Sequence, residues 1–356
     1  MKIYQCGNCQ HPVYFANTSC ERCKSWLGYL PETDEMIALS PGGTVWDAPA
    51  SATAGLRYCA NHQHGVCNWL LPTERKENLC ESCDLNNVIP NLSDPSHLPE
   101  WRKLERAKHR LVYALRRLKL PLESQMGGKR LPLAFDFLSE DDATEPVMTG
   151  HDSGLITINT NEANSVHREA TRIQMQERYR TLIGHFRHEV GHYYWDVLVS
   201  ENPAALAGFR ELFGDDREDY QAALEKHYRN GSPPNWRDNY ISEYATTHAW
   251  EDWAETWAHY LHLLDMLETA NAFGMRTDPA LVPDGMMTMH ATFDPYEETD
   301  FNRIINACIP LTLAVNTLNR GMGRKDLYPF VINQSVRKKL VYVHELLRQS
   351  QVQGVW

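Results

Sequence analysis

His188 and His192 stand four residues apart in the run His188-Glu189-Val190-Gly191-His192. On an α-helix such positions lie one above the other, so both imidazoles can reach one zinc ion. Glu189 then falls beside the water that the ion activates. A carboxylate there can take the water's proton as general base and hand it on to a leaving amine. The surrounding pattern predicts the helix this chemistry needs. Leu182, Phe186, Val190, Tyr193 and Val197 recur at steps of three or four, and Asn202-Pro203 ends the run. Two ordinary histidines on a surface helix are the bland alternative. The apolar stripe and Gly191, read as leaving room beside a metal, favour the metal site.

A catalytic zinc takes three protein ligands and keeps a fourth position open. The metzincin extension, H-E-x-x-H-x-x-G-x-x-H, fails here: Trp195 stands at its glycine and Leu198 at its third histidine. The other solution is a glutamate on a later helix. A helix is expected from about 249 to 267, with Trp253, Trp257, Tyr260 and Leu264 on one face. It carries Glu251 and Glu255 at i and i+4, and Glu251 is the better candidate for the third ligand. One carboxylate can ligate zinc while the other accepts a hydrogen bond from a ligand histidine and fixes its tautomer. His185, His248 and His259 can line the same cleft or serve only as structural or exposed histidines, and Asp196, four residues after His192, can support the ligand set from outside or form an ordinary ion pair.

A second kind of chemistry sits at the other end of the chain. Eight of the nine cysteines precede residue 84. Cys6-x2-Cys9 and Cys20-x2-Cys23 have zinc-ribbon spacing. Cys80-x2-Cys83 is a third knuckle, and its partners are expected to be Cys59 and Cys67, with His62 or His64 as substitutes. Interleaving of ligands between the two sets stays open. Such zinc compensates for a core too small to fold alone. Tyr4, Tyr14, Phe15 and Trp26 either cover the metal or form a contact surface. Cys308 stands apart and reads as an inert core thiol.

These sites require elements to hold them. Hydrophobic residues make up 42% of the 356, enough for a packed core. Composition places a cysteine-rich zinc-binding module in residues 1–90 and the body in 91–356, with a linker-like stretch of small residues at 40–55. A basic amphipathic helix is expected from about 99 to 118. Strand-like segments follow at 131–137 and 154–159, and the rest is mainly helical, ending in a helix over 336–349. The formal net charge of -11 argues against nucleic acid as the main partner. No apolar run is long enough to span a bilayer, and the start at Met1 has no apolar signal segment, so a cytoplasmic protein is expected.

Residues 188–192 together with Glu251-Asp252-Trp253-Ala254-Glu255-Thr256-Trp257 resemble the catalytic core of gluzincins, in particular those of the anthrax lethal factor type, which read H-E-F-G-H and E-F-F-A-E-A-F. The resemblance implies that Glu251 is the ligand, that Glu255 supports a histidine, and that Tyr244, seven residues before Glu251, is catalytic. Over nearly its full length the chain is similar to a bacterial family of zinc-binding metallopeptidases with an N-terminal zinc ribbon. That likeness is carried by Cys59-Ala60-Asn61, Gly65-Val66-Cys67-Asn68-Trp69, Asn91-Leu92-Ser93-Asp94 and Lys325-Asp326-Leu327-Tyr328-Pro329-Phe330. The expected fold class is α+β: a zincin-like, mainly helical peptidase domain with a small sheet, preceded by a zinc-ribbon-type module. The expected cofactors are one catalytic and two structural zinc ions. The expected partners are a peptide or protein substrate, and a protein held by the ribbon module. Two other functions compete: a ribbon that binds protein or nucleic acid on an inactive peptidase platform, and a zinc hydrolase acting on a non-protein amide.

Overall fold

The cysteine knuckles dictate the local structure of the head. In the computed structural model, which describes residues 1–39, 55–122, 131–174, 177–280, 285 and 287–353, strands β1 (Ile3–Gln5) and β2 (Pro12–Tyr14) pair antiparallel around the first knuckle. The chain reverses through Gln10 at φ 59°, and the Gln10 amide bonds the Cys6 carbonyl at 2.8 Å. Lys24, at φ 63°, closes the second knuckle in the same way onto Cys20 at 3.0 Å. Left-handed residues other than glycine are uncommon. Here each closes a turn whose two sulfurs must face one centre. The linker-like stretch at 40–55 lies, but for its last residue, outside the described residues.

Strands β3 (Trp26–Leu30) and β4 (Glu35–Leu39) pair antiparallel, as do β5 (Leu56–Tyr58) and β6 (Leu70–Pro72). Leu30, Ile37, Leu39, Leu56 and Leu70 form a common core. Phe15 and Trp69 close on Tyr29, with ring centroids 4.7 and 5.0 Å from it. Tyr4 and Phe15 are therefore buried, while Tyr14 and Trp26 remain about half exposed. A short helix α1 (Glu81–Asp84) carries the last knuckle into β7 (Asn86–Val88) and then α2 (His97–Arg117). The amphipathic reading of α2 holds for Leu104 and Leu111, which are fully buried. Its basic face is not all solvated, because Lys108 is also fully buried.

Strand β8 (Ala134–Leu138) runs parallel to β7 with Phe135 opposite Asn86. With β9 (Gly150–Asp152) and β10 (Leu155–Asn159) they form a sheet of order β7-β8-β10-β9. Backbone contacts divide the chain into two units. The first comprises Met1–Val112, Leu122–Thr149 and Thr157–Asn164, and the second Tyr113–Pro121, Gly150–Ile156 and Ser165–Trp356.

The second unit is helical: α3 (Ser165–Gln174), α4 (Leu182–Trp195), α5 (Pro203–Phe213), α6 (Tyr220–Asn230), α7 (Ala249–Ala272), α8 (Phe301–Gly321) and α9 (Gln334–Gln353). The two-residue strands β11 (Arg276–Thr277) and β12 (Met289–His290) pair antiparallel. Side-chain caps start the helices that matter most. Thr181 accepts from the Gly184 amide, Asn202 from Ala204 and Ala205, and His248 from Trp250. After Trp195, α4 widens into a π-helical turn over Asp196–Ser200, a feature often found at functional sites.

Helix α7 is the axis of this unit, and α4, α5, α8 and α9 pack against it. Trp253, Trp257, Tyr260 and Leu264 form its fully buried face, as the periodicity predicts. Gly191 lets α4 approach. A Cβ there would meet the Ala254 Cα at 3.1 Å and the Trp257 Cβ at 3.2 Å. The glycine thus makes room for a neighbouring helix, where the sequence suggested room beside a metal. Trp253 reinforces the crossing by donating its indole N–H to the Gly191 carbonyl at 2.8 Å. Cys308 is buried in this core, as expected, with its thiol 3.7 Å from the Leu263 carbonyl. Among the described residues no helix is long and apolar enough to cross a membrane.

Candidate metal centres

The close crossing of α4 and α7 brings the predicted body residues together. One ligand atom each from His188, His192 and Glu251 lies within 4.8 Å of the others. The Nε2 atoms of the two histidines are 3.2 Å apart. Glu251 Oε2 lies 2.9 Å from His188 Nε2 and 3.6 Å from His192 Nε2. Donors bound tetrahedrally to one zinc at ordinary bond lengths stand about 3.4 Å apart, so the spacing fits.

The chemistry of the donors fits as well. His188 Nδ1 lies 2.8 Å from Glu255 Oε1, and a carboxylate can only accept, so Nδ1 donates. In its neutral form the ring then turns the lone pair of Nε2 toward Glu251. Glu251 Oε2 is buried and has no hydrogen-bond partner. Acceptors that converge in a buried place call for a cation between them. The two carboxylates favour positive charge at this point, whether a metal or a proton carries it: burial opposes charge on His188, but Glu251 and Glu255 outweigh it and raise its pKa. Glu251 is likewise held ionised against its burial, chiefly by His192 and His188.

Glu189, on the same turn as His188, is largely buried. Its charge helps to raise the pKa of the Tyr220 and Tyr244 phenols, whose main shift comes from burial. The Tyr244 ring stands 5.9 Å from His188. So the structure brings His188, His192 and Glu251 to one point, with Glu255 bonded to His188, the Tyr244 ring beside it, and Glu189 next to His188 on α4. Of the other polar candidates, His248 caps α7 and bonds the Glu218 carbonyl at 3.1 Å. His259 is buried against the Tyr328 hydroxyl at 3.0 Å, and burial lowers its pKa to about 4. Asp196 lies beside His151, 3.9 Å from its Nε2, and burial raises its pKa to about 6.

Two residues of the site escape the sequence reading. Tyr220 donates its hydroxyl to Glu251 Oε1 at 2.6 Å. His151, on β9, stacks with His192 at 6.2 Å and meets Trp250 edge-on at 6.0 Å. Burial, then the nearby His192, lowers its pKa to about 4, so it stays neutral at physiological pH. Neither belongs to a motif. Tyr220 has only its place just after the capping Asp219 to mark it.

In the first unit the cysteines gather as two separate fours: Cys6, Cys9, Cys20 and Cys23, then Cys59, Cys67, Cys80 and Cys83. Sulfur pairs stand 3.6 Å apart for Cys6 and Cys23, 3.6 Å for Cys9 and Cys20, and 3.7 Å for Cys67 and Cys80. Four thiolates around one zinc at about 2.3 Å stand about 3.8 Å apart, whereas a disulfide needs about 2.05 Å. Backbone amides of Cys80 and Trp69 point at the sulfurs of Cys59 and Cys67, each at 3.3 Å. His62 is turned away, bonding the Cys67 carbonyl at 2.8 Å and stacking on Tyr58. His64 also stands outside the group, its ring 5.6 Å from Trp101. A further group, Cys83, Glu105 and His109, borrows one sulfur of the second four. There the Lys108 ammonium, 3.1 Å from Glu105, already supplies the positive charge.

Comparison with known proteins agrees with this geometry. A family model described as "Putative zinc-binding metallo-peptidase" matches residues 97–346, and a zinc-ribbon model matches residues 3–94. Uncharacterized proteins of Mycobacterium bovis and of two strains of Mycobacterium tuberculosis are 40% identical over 349 residues, covering 98% of this chain and 95% of each relative. No solved structure matches. The zinc ribbon at one end and the matched body at the other identify this chain as a member of the family of putative zinc-binding metallo-peptidases.

Proposed function

We propose that the protein hydrolyses peptide bonds. One observation carries the reading: ligand atoms of His188, His192 and Glu251, the last two residues buried, converge within 4.8 Å of one another, and Glu189 follows His188 on α4. His188, His192 and Glu251 would hold the ion. Zinc, when bound, supplies Lewis acidity and makes water easier to deprotonate at neutral pH. Glu189 accepts the proton of the attacking water and delivers it to the departing amine. Glu255 holds His188 in the tautomer and ring orientation that keep Nε2 free. Tyr244 donates its phenolic hydrogen to the carbonyl oxygen as that oxygen gains charge.

In this reading residues 91–356 carry the reaction, and residues 1–90 fold around two structural zinc ions, one for each set of four cysteines. The substrate is a peptide or protein, and the ribbon module offers a surface for a protein partner. The test is digestion of a peptide library, read by mass spectrometry, with wild type and Glu189→Gln side by side. Cleavage by the wild type alone supports the reading. No cleavage by zinc-loaded wild type, or equal cleavage by both, overturns it.

A further inference from the structure

Glu251 has two carboxylate oxygens, and they face different neighbours. Oε2 faces the Nε2 atoms of both histidines. Oε1 accepts the hydroxyl hydrogen of Tyr220 at 2.6 Å. We propose that Tyr220 is a positioning residue that holds Glu251 as a one-oxygen ligand and fixes the carboxylate's rotation. The inference rests on Glu251 being a metal ligand, as read above.

The geometry behind it is built rather than incidental. Tyr220 opens α6, whose cap Asp219 accepts from the Ala222 amide at 2.9 Å. The residue before the cap, Glu218, is tied to α7 by His248. His248 Nδ1 accepts from the Trp250 amide at 3.1 Å, so its Nε2 carries the hydrogen and donates to the Glu218 carbonyl at 3.1 Å. The Tyr220 ring packs edge-on against His248 at 5.4 Å and against Trp250 at 6.0 Å. One imidazole therefore clamps the start of α6 to the start of α7, one turn from Glu251. The phenol has little freedom to leave the carboxylate. A carboxylate with both oxygens free can swing between one-oxygen and two-oxygen binding. One held at Oε1 presents Oε2 alone, and its orientation is set before the ion arrives.

The same arrangement explains why the partner of Glu251 is a phenol. The site is acidic, with Glu189, Glu251 and Glu255 close together, so a neutral donor satisfies Oε1 without competing for the place of the ion. A lysine or arginine at 220 would carry its own positive charge into that place.

The test uses the full chain and does not depend on turnover. Tyr220→Phe keeps the ring and removes the donor. Zinc affinity of the body site, measured by chelator competition, is expected to fall by about 10–100-fold, the usual effect of losing a hydrogen bond to a ligand. Cobalt(II) loaded at this site reports its coordination through d–d bands, free of the thiolate charge-transfer bands of the cysteine sites, and these bands are expected to shift in Tyr220→Phe. His248→Ala leaves the phenol but releases the clamp. It is expected to move affinity and spectrum in the same direction and serves as the readout if Tyr220→Phe does not fold. Wild-type affinity and spectrum in either folded variant would overturn the inference. Glu251→Ala, run alongside, separates the two levels. If it keeps the body zinc, the ligand assignment itself fails. If it loses that zinc while Tyr220→Phe is unchanged, only the role of Tyr220 fails.

Discussion

His188 Nδ1 and Glu255 Oε1 lie 2.8 Å apart, and this contact decides which nitrogen of His188 is free for a metal. Glu251, one turn earlier on the same helix, faces the other nitrogen. The two carboxylates therefore hold different positions around one imidazole. Glu251→Ala is expected to remove the body zinc. Glu255→Ala is expected to weaken it by about 10–100-fold. Isothermal titration of the metal-depleted variants measures both, and the opposite ranking would mean that the two roles are exchanged.

Three zinc ions per chain are expected, two on the cysteines and one in the body. The two cysteine-bound ions should outlast the third under a moderate chelator, because their ligands are mostly buried thiolates. Elemental analysis of the purified protein, before and after dialysis against chelator, gives the count. Iron in the preparation, or a single zinc, would refute the assignment.

Glu189→Gln is expected to leave zinc bound and to abolish turnover, since the residue is assigned as base and not as ligand. Metal content and cleavage rate are measured on the same sample. Hydrolysis near the wild-type rate would place the base elsewhere.

Tyr244→Phe is expected to lower kcat by roughly 10²-fold while KM and zinc content change little, because an oxyanion donor acts mainly in the transition state. The ring contact with His188 at 5.9 Å survives the substitution, so packing is preserved. An unchanged kcat would return Tyr244 to a packing role. Tyr220→Phe differs in kind, because its first effect is expected on metal affinity.

A buried ion pair behind the site gives a stability test. Lys339 of α9 bonds the carboxylate of Asp252 on α7; Asp252 is fully buried and Lys339 nearly so. Without Lys339 the Asp252 carboxyl, whose pKa burial already raises to about 7, loses its cation, so Lys339→Met is expected to lower stability, and more above that pH than below it. Adding Asp252→Asn should restore part of that loss. Denaturant melts of the single and double variants decide it, and an unaffected single variant would contradict the burial of the pair.

How much of this was legible in the chain follows from the range of each interaction. His188, Glu189 and His192 are set by one helical turn. Glu251 and Glu255 are set by another, and the apolar periodicity around both fixes which faces turn inward. The cysteine knuckles are equally local, since each needs only a tight turn. Tyr220 and His151 were invisible for the opposite reason. Each reaches the site from an element remote in sequence, and no spacing rule links it to a ligand. Lys108 shows the same limit: on a helix read as basic it is fully buried, because Glu105 and Asn86 receive its ammonium group. Gly191 was noticed for the wrong neighbour, since only the crossing of α4 and α7 shows what a side chain there would strike. Periodicity and spacing determined the donors and the helices that carry them. Tertiary packing decided which donors share a centre, which carboxylate faces which nitrogen, and what holds each in place, because those outcomes depend on contacts between segments that local sequence does not encode.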